Sequence, residues 1–95
     1  MSIERRIIRE LGYLGTTPDA IGYSLYKQNC KGVRHCGSKC PLAIYLRRQG
    51  WGSGLVGGSQ VIIRKLPVSL SKCLQVFVSQ FDAGKYPELD LEASL

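Results

Sequence analysis

The chain has 95 residues, of which 44% are hydrophobic and 21% are charged, and this favours one small globular domain with its own core. Two hydrophobic cores do not fit into this length, so a multidomain enzyme is excluded. No apolar run approaches the about 18 residues that cross a bilayer, and the first residues lack the pattern of a secretory signal. We therefore expect a soluble, cytoplasmic protein without a membrane partner.

The first half of the sequence predicts three helices. Ser2 and Thr17 are suitable N-caps for the first two, over residues 3–14 and 18–28. Between the second and the third, residues 29–39 have no apolar periodicity and are predicted to form a long loop. The third helix, over residues 41–49, begins with a proline and is followed by a glycine.

The second half begins with a glycine-rich stretch that predicts a β-hairpin. Residues 57–59, Gly-Gly-Ser, lie between an apolar pair at residues 55–56 and an apolar triplet at residues 61–63. Leu66 and Pro67 are predicted to open the last helix. Its apolar residues repeat at spacings of three and four, and they include Cys73, which we expect in the core: Leu70, Cys73, Leu74, Phe77, Val78 and Phe81.

These elements predict an α+β fold, in which a small domain of three helices is followed by a β-hairpin and a C-terminal amphipathic helix. We place this single domain at residues 1–85. Residues 86–95 form an acidic C-terminal tail, for which two alternatives stay open: it packs back on the domain or it frays.

The net charge of +6 is concentrated in the middle of the chain. Between Ala20 and Phe81 there is no acidic residue, and nine residues are basic: Lys27, Lys31, Arg34, Lys39, Arg47, Arg48, Arg64, Lys65 and Lys72. Such a segment is either a solvated basic face or a site for a polyanion such as a phosphate backbone. The candidate phosphate contacts lie in the long loop, the third helix and the hairpin: Lys31, Arg34, Lys39, Arg47, Arg48, Arg64 and Lys65.

Aromatic residues alternate with these cations, as they do in proteins that stack on single-stranded nucleic acid. Tyrosines next to leucine in a helix are also typical of half-buried packing. Trp51 follows a helix stop and lies among glycines, so we expect its ring to be exposed, on nucleic acid or in a protein interface.

Two segments resemble winged helix-turn-helix proteins. Residues 17–25, Thr-Pro-Asp-Ala-Ile through Leu, resemble the second helix of that family. Residues 40–50 are similar to its recognition helix, leading into a wing at 51–65. The resemblance covers about residues 1–66 and implies a winged-helix-like order of elements and DNA binding. About eleven residues separate the two helices here, where the family has a turn of three or four.

A second resemblance concerns the segments Cys-Pro-Leu-Ala at 40–43, Phe-Asp-Ala-Gly at 81–84 and Tyr-Pro-Glu-Leu at 86–89. These look like segments of small actinobacterial and phage-associated proteins of unknown function. The resemblance implies no activity.

Three thiols and one imidazole lie within eleven residues and are candidate zinc ligands: Cys30, His35, Cys36 and Cys40. Their spacing differs from that of standard zinc sites, which pair two short Cys-x2–4-Cys motifs. The alternatives are free thiols with an ordinary structural role, and a disulfide or redox pair. The only histidine has no evident carboxylate partner in the sequence, so we expect no enzymatic activity.

Two functions follow from these patterns. The first is a small basic nucleic-acid-binding domain, such as a regulator. The alternative is a protein-interaction module or inhibitor of phage or actinobacterial type that presents the same basic face to an acidic protein. Zinc, held by the cysteines and histidine listed above, is the candidate structural cofactor. A homodimer through the last helix is expected if its apolar stripe exceeds what the small core can cover.

Overall fold

The structure, a computed structural model that describes residues 2–92, is of the α+β class, as predicted. The described part contains four helices: α1 (Ile3–Gly12), α2 (Pro18–Lys27), α3 (Pro41–Arg48) and α4 (Lys72–Asp82). It also contains three strands: β1 (Gly54–Val56), β2 (Gln60–Ile63) and β3 (Leu66–Ser69). Short 3-10 turns span Gly37–Lys39 and Pro87–Leu89. Within residues 2–92, no helix has both the length and the apolar character needed to cross a bilayer.

The predicted N-caps begin the first two helices. The Ser2 hydroxyl accepts a hydrogen bond from the Arg5 N–H at 3.2 Å, and the Thr17 hydroxyl accepts one from the Ala20 N–H at 3.1 Å. Each bond satisfies one backbone donor that a helix start leaves free. The α3 helix begins at Pro41, where its missing N–H costs no helical hydrogen bond.

The predicted hairpin is confirmed, and β1 pairs antiparallel with β2. The prediction that Leu66 and Pro67 open the last helix is wrong, because this segment is a third antiparallel strand next to β2. Arg64 and Lys65 both have positive φ, at 52° and 67°, and form the two-residue turn that reverses the chain. In such a hairpin the nitrogen of Pro67 points away from β2, so the edge strand tolerates the missing N–H.

The core confirms the amphipathic character of the last helix, which begins at Lys72 and not at Leu66. Phe77 and Phe81 are fully buried, while Cys73 packs at the edge of the core and is half-buried. The homodimer prediction depended on five apolar residues, and the single chain buries all of them: Leu70, Leu74, Phe77, Val78 and Phe81. The structure therefore removes the reason for predicting a dimer through this helix.

Residues 86–92 of the acidic tail pack back on the domain. Leu89 is fully buried, and its carbonyl accepts a hydrogen bond from the Gly32 N–H at 2.8 Å. The Leu91 N–H in turn donates to the Gly32 carbonyl at 2.9 Å. Of the two alternatives for the tail, packing back is the one observed for these residues, and residues 93–95 lie outside the described part.

The same contacts order the long loop between α2 and α3. The Val33 N–H donates to the Lys39 carbonyl at 2.8 Å, so the loop closes on itself next to the tail. Gly32 allows this close approach, because a Cβ there would collide with the Lys39 carbonyl oxygen. We call this loop, residues 29–39, the Cys/His loop; backbone hydrogen bonds tie it to the tail and close it on itself.

Candidate functional site

The seven predicted phosphate contacts have different surroundings. The Arg34 Nε lies 2.8 Å from the Asp90 Oδ2. This cation therefore forms a salt bridge with a carboxylate that is far away in the sequence. The Arg48 guanidinium donates to the Gln28 carbonyl at 2.6 Å and ties α3 to the end of α2. Both side chains therefore connect separate parts of the fold. Lys31 is half-buried, and the other six are exposed, including Lys39, Arg47 and Lys65.

Arg64, the seventh, takes part in a cluster around Trp51. Two guanidinium groups lie over the indole ring, with the Arg6 and Arg64 Cζ atoms 5.6 and 5.3 Å from its centroid. Arg6 comes from α1, Trp51 from the segment after α3, and Arg64 from the β2–β3 turn. The Arg64 guanidinium also donates to the Gly50 carbonyl at 3.4 Å. Three separate parts of the chain thus converge on one ring.

Trp51 is less exposed than predicted. Its ring is half-buried and packs at the edge of the core, since α1 and the turn cover part of it. The indole N–H is buried, and no acceptor among residues 2–92 reaches it. The ring is therefore only partly accessible to a ligand.

The α1 helix extends this cluster. Arg6, Arg9 and Tyr13 follow one another at spacings of three and four and line a shallow cavity of about 330 Å³, together with Glu10. The Tyr13 ring is 70% exposed. We call the five residues that carry cationic or aromatic groups here the arginine–tryptophan surface: Arg6, Arg9, Tyr13, Trp51 and Arg64.

Sequence reasoning missed Arg6 and Arg9. The charges of residues 1–19 sum to zero, which made the first helix appear neutral. The helical spacing carried the missing signal, because residues 6, 9 and 13 lie on a different face from the buried Ile7 and Leu11. Among residues 2–92, Arg34 is the only basic residue within salt-bridge distance of a carboxylate, so the arginines of this surface keep their charges unpaired there.

The four predicted zinc ligands do not come together. The Cys30 thiol is buried beside the Arg48 guanidinium, at 3.8 Å. His35, Cys36 and Cys40 instead line a cavity of about 250 Å³ between the loop, the β1–β2 turn and α4. In the part of the chain that the structure describes, no three His, Cys, Asp or Glu side chains are grouped so that they could hold a metal ion.

The two thiols of this cavity have opposite properties. A hydrogen bond with Ser38, whose Oγ lies 3.6 Å from the Cys36 Sγ, is the main cause that lowers the pKa of the Cys36 thiol, and Lys39 adds to it. Burial raises the pKa of the Cys40 thiol to about 12. Asp82 lines the same cavity, and its Oδ1 accepts a hydrogen bond from the His35 N–H at 2.9 Å.

Comparison with known proteins gives no relative. The chain matches no protein-family model, no curated protein and no solved structure. A function is therefore proposed from the arrangement of its own side chains.

Proposed function

We propose that the protein is a binding protein, not an enzyme, and that it binds nucleic acid through the arginine–tryptophan surface. The observation that carries this proposal is the pair of guanidinium groups, from Arg6 and Arg64, over the ring of Trp51. Neither arginine is within salt-bridge distance of a carboxylate among the described residues. The charges are thus available to phosphates, which bind planar guanidinium groups with two parallel hydrogen bonds.

Contact with the indole ring restricts the two guanidinium groups before a ligand arrives. The Arg64 guanidinium is held further by its hydrogen bond to the Gly50 carbonyl. The entropy lost on binding a phosphate is then smaller than for a free arginine side chain. Bases stack on aromatic rings and on guanidinium planes, and Tyr13 adds an exposed ring at the same surface.

This arrangement favours single-stranded nucleic acid as the ligand. A single strand presents unstacked bases together with its phosphates, whereas duplex bases are not available for stacking. Arg47 and Lys65 are also exposed, and Lys65 directly follows Arg64 in the β2–β3 turn. The winged-helix form of the proposal, in which α3 enters a DNA groove, places Arg47 at the contact and predicts preferential duplex binding.

A titration with a 20-nucleotide single strand and the matching duplex tests the proposal, with Trp51 fluorescence as the readout. With three to five phosphate contacts, the affinity for the single strand falls with a log–log salt slope of about −2 to −3.5. The variant R6A/R64A loses two contacts and flattens the slope by about 1.4. The control R5A/K72A removes the same charge from exposed positions outside the arginine–tryptophan surface and keeps the slope.

Two results would contradict the proposal. One is the absence of binding to single strand and duplex at about 0.15 M salt. The other is an R6A/R64A variant that is folded, by circular dichroism, and keeps the full slope. Preferential binding of the duplex that is lost in Arg47→Ala would favour the winged-helix form instead.

A second candidate function, protein interaction, is favoured by the outer face of the sheet. The register places Leu55, Ile62 and Pro67 in one row across the three strands, and all three are exposed. Arg64 and Lys65 form the turn between β2 and β3, two and three residues after Ile62, so an acidic protein surface with an apolar centre is complementary to this face. A copurifying protein that survives nuclease treatment and is lost in the variant L55S/I62S would support this function.

A further inference from the structure

Two thiols share the cavity between the Cys/His loop and α4, and the proposed nucleic-acid surface uses neither. Cys36 and Cys40 line it together with His35, Val56, Val78 and Asp82. Cys36 is partly exposed, while Cys40 is buried at the first turn of α3. A small molecule that enters the cavity from solvent therefore meets a reachable thiol, with a second, sheltered thiol in the same cavity.

The backbone brings the two cysteines to the same place. The Lys39 N–H donates to the Cys36 carbonyl at 3.0 Å and closes the 3-10 turn Gly37–Lys39, after which Cys40 follows directly. A closed turn brings its first and last Cα atoms, here those of Cys36 and Lys39, within about 7 Å, so the chain has already returned towards Cys36 where Cys40 begins.

The turn is fixed against the sheet. A Cβ on Gly37 would lie 2.7 Å from the Val56 carbonyl oxygen, so only glycine permits this approach of the turn to β1. The residue next to Cys36 is therefore packed against β1.

We propose that Cys36 and Cys40 form a reversible disulfide in response to hydrogen peroxide. In the first step the Cys36 sulfur attacks one peroxide oxygen, the O–O bond breaks, and the products are Cys36 sulfenic acid and water. In the second step the Cys40 sulfur attacks the Cys36 sulfur. The S–O bond breaks, and the hydroxyl leaves with the Cys40 proton as a second water. The two thiols lose two electrons to the peroxide, and a thiol reductant restores them.

The surroundings assign the two roles. The hydrogen bond with Ser38 and the nearby Lys39 favour the Cys36 thiolate, which is the form that attacks a peroxide. Burial keeps Cys40 protonated and away from solvent, so it reacts only after Cys36 has been oxidised. The other two cysteines do not line this cavity: Cys30 lies beside Arg48, and Cys73 lies beside Ser71 at the start of α4.

The test treats the reduced, full-length chain with hydrogen peroxide and maps its thiols by alkylation and mass spectrometry. We expect a Cys36–Cys40 disulfide as the first stable product, and oxidation of Cys36 at least about tenfold faster than oxidation of the half-buried Cys73. Cys73→Ser serves as the matched control and gives the same disulfide. Cys40→Ala stops at the first step, so a sulfenic acid probe labels Cys36, and Cys36→Ala leaves Cys40 reduced.

The wild-type chain alone decides the proposal if Cys40→Ala does not fold. Oxidation of Cys73 at the rate of Cys36, or accumulation of Cys36 sulfenic or sulfinic acid without a disulfide, would overturn it. A zinc ion retained by the purified chain that protects both thiols until a chelator removes it would overturn it as well.

Discussion

Leu89 offers the sharpest test of the part that the acidic tail plays in the fold. Its side chain is fully buried, although the sequence around it is acidic. Leu89→Ala removes the equivalent of three methylene groups, each worth about 0.8 kcal/mol of transfer free energy, or about 2.4 kcal/mol in total. The cavity that remains raises the expected loss to about 2.7–5 kcal/mol. A chain of this length is stabilised by about 5–14 kcal/mol, so the loss is a large share.

Urea denaturation followed by the fluorescence of Trp51, the single tryptophan, measures this loss. With an m-value of about 1.5 kcal/mol per molar urea, the midpoint falls by roughly 2–3 M. Leu91→Ala is the matched control, because it makes the same chemical change two residues away, at a side chain that is 53% exposed. Its expected cost is below about 0.5 kcal/mol. Equal midpoints for the two variants would refute the packing of the tail.

Three further predictions concern the core, the loop and the tail. Phe77→Ala is expected to cost about 3–5 kcal/mol in the same urea assay, against less than about 0.5 kcal/mol for the exposed Ser79→Ala on the same helix. Gly32→Ala is expected to lower the free energy of unfolding by more than about 2 kcal/mol, because its Cβ would collide with the Lys39 carbonyl oxygen. A Cβ on Gly58 meets nothing within 4 Å, so Gly58→Ala is the control and is near neutral. Equal costs for the two variants would contradict the loop geometry. Burial, and next the hydrogen bond to Asp19, raise the pKa of Tyr86 above its ordinary value, so the folded state favours the neutral phenol. The resulting stabilisation is complete below the unfolded pKa of about 10 and is lost as pH rises through the folded pKa. The melting temperature of the wild type therefore falls more between about pH 8 and about pH 11 than that of Tyr86→Phe. Tyr23→Phe, at an exposed ring, is the control and behaves like the wild type.

Local signals in the sequence predicted the elements that local chemistry determines. The caps Ser2 and Thr17, the start of α3 at Pro41 and the β1–β2 hairpin each depend on a few neighbouring residues. The third strand was missed because a Leu-Pro pair is compatible with a helix start. The chain turns there through the positive φ of Arg64 and Lys65, which non-glycine residues seldom adopt.

The candidate site was less predictable, since its residues come from distant parts of the chain. The pairing of Arg34 with Asp90 and the convergence of Arg6 and Arg64 on Trp51 follow from tertiary packing, which a charge count along the sequence does not contain. The Cys/His cluster was identified by its residue types. Cys30 is separated from His35, Cys36 and Cys40 because its thiol is buried beside Arg48.

Both edges of the small sheet are closed to strand addition. At the β3 edge, Pro67 removes a donor that another strand would need, and at the β1 edge the turn of Gly37 lies against the Val56 backbone. Exposed strand edges are the usual nuclei of amyloid-like aggregation. The apolar outer row that begins with Leu55 therefore remains open to side-chain contacts with a partner, while the backbone gives a second sheet no place to start.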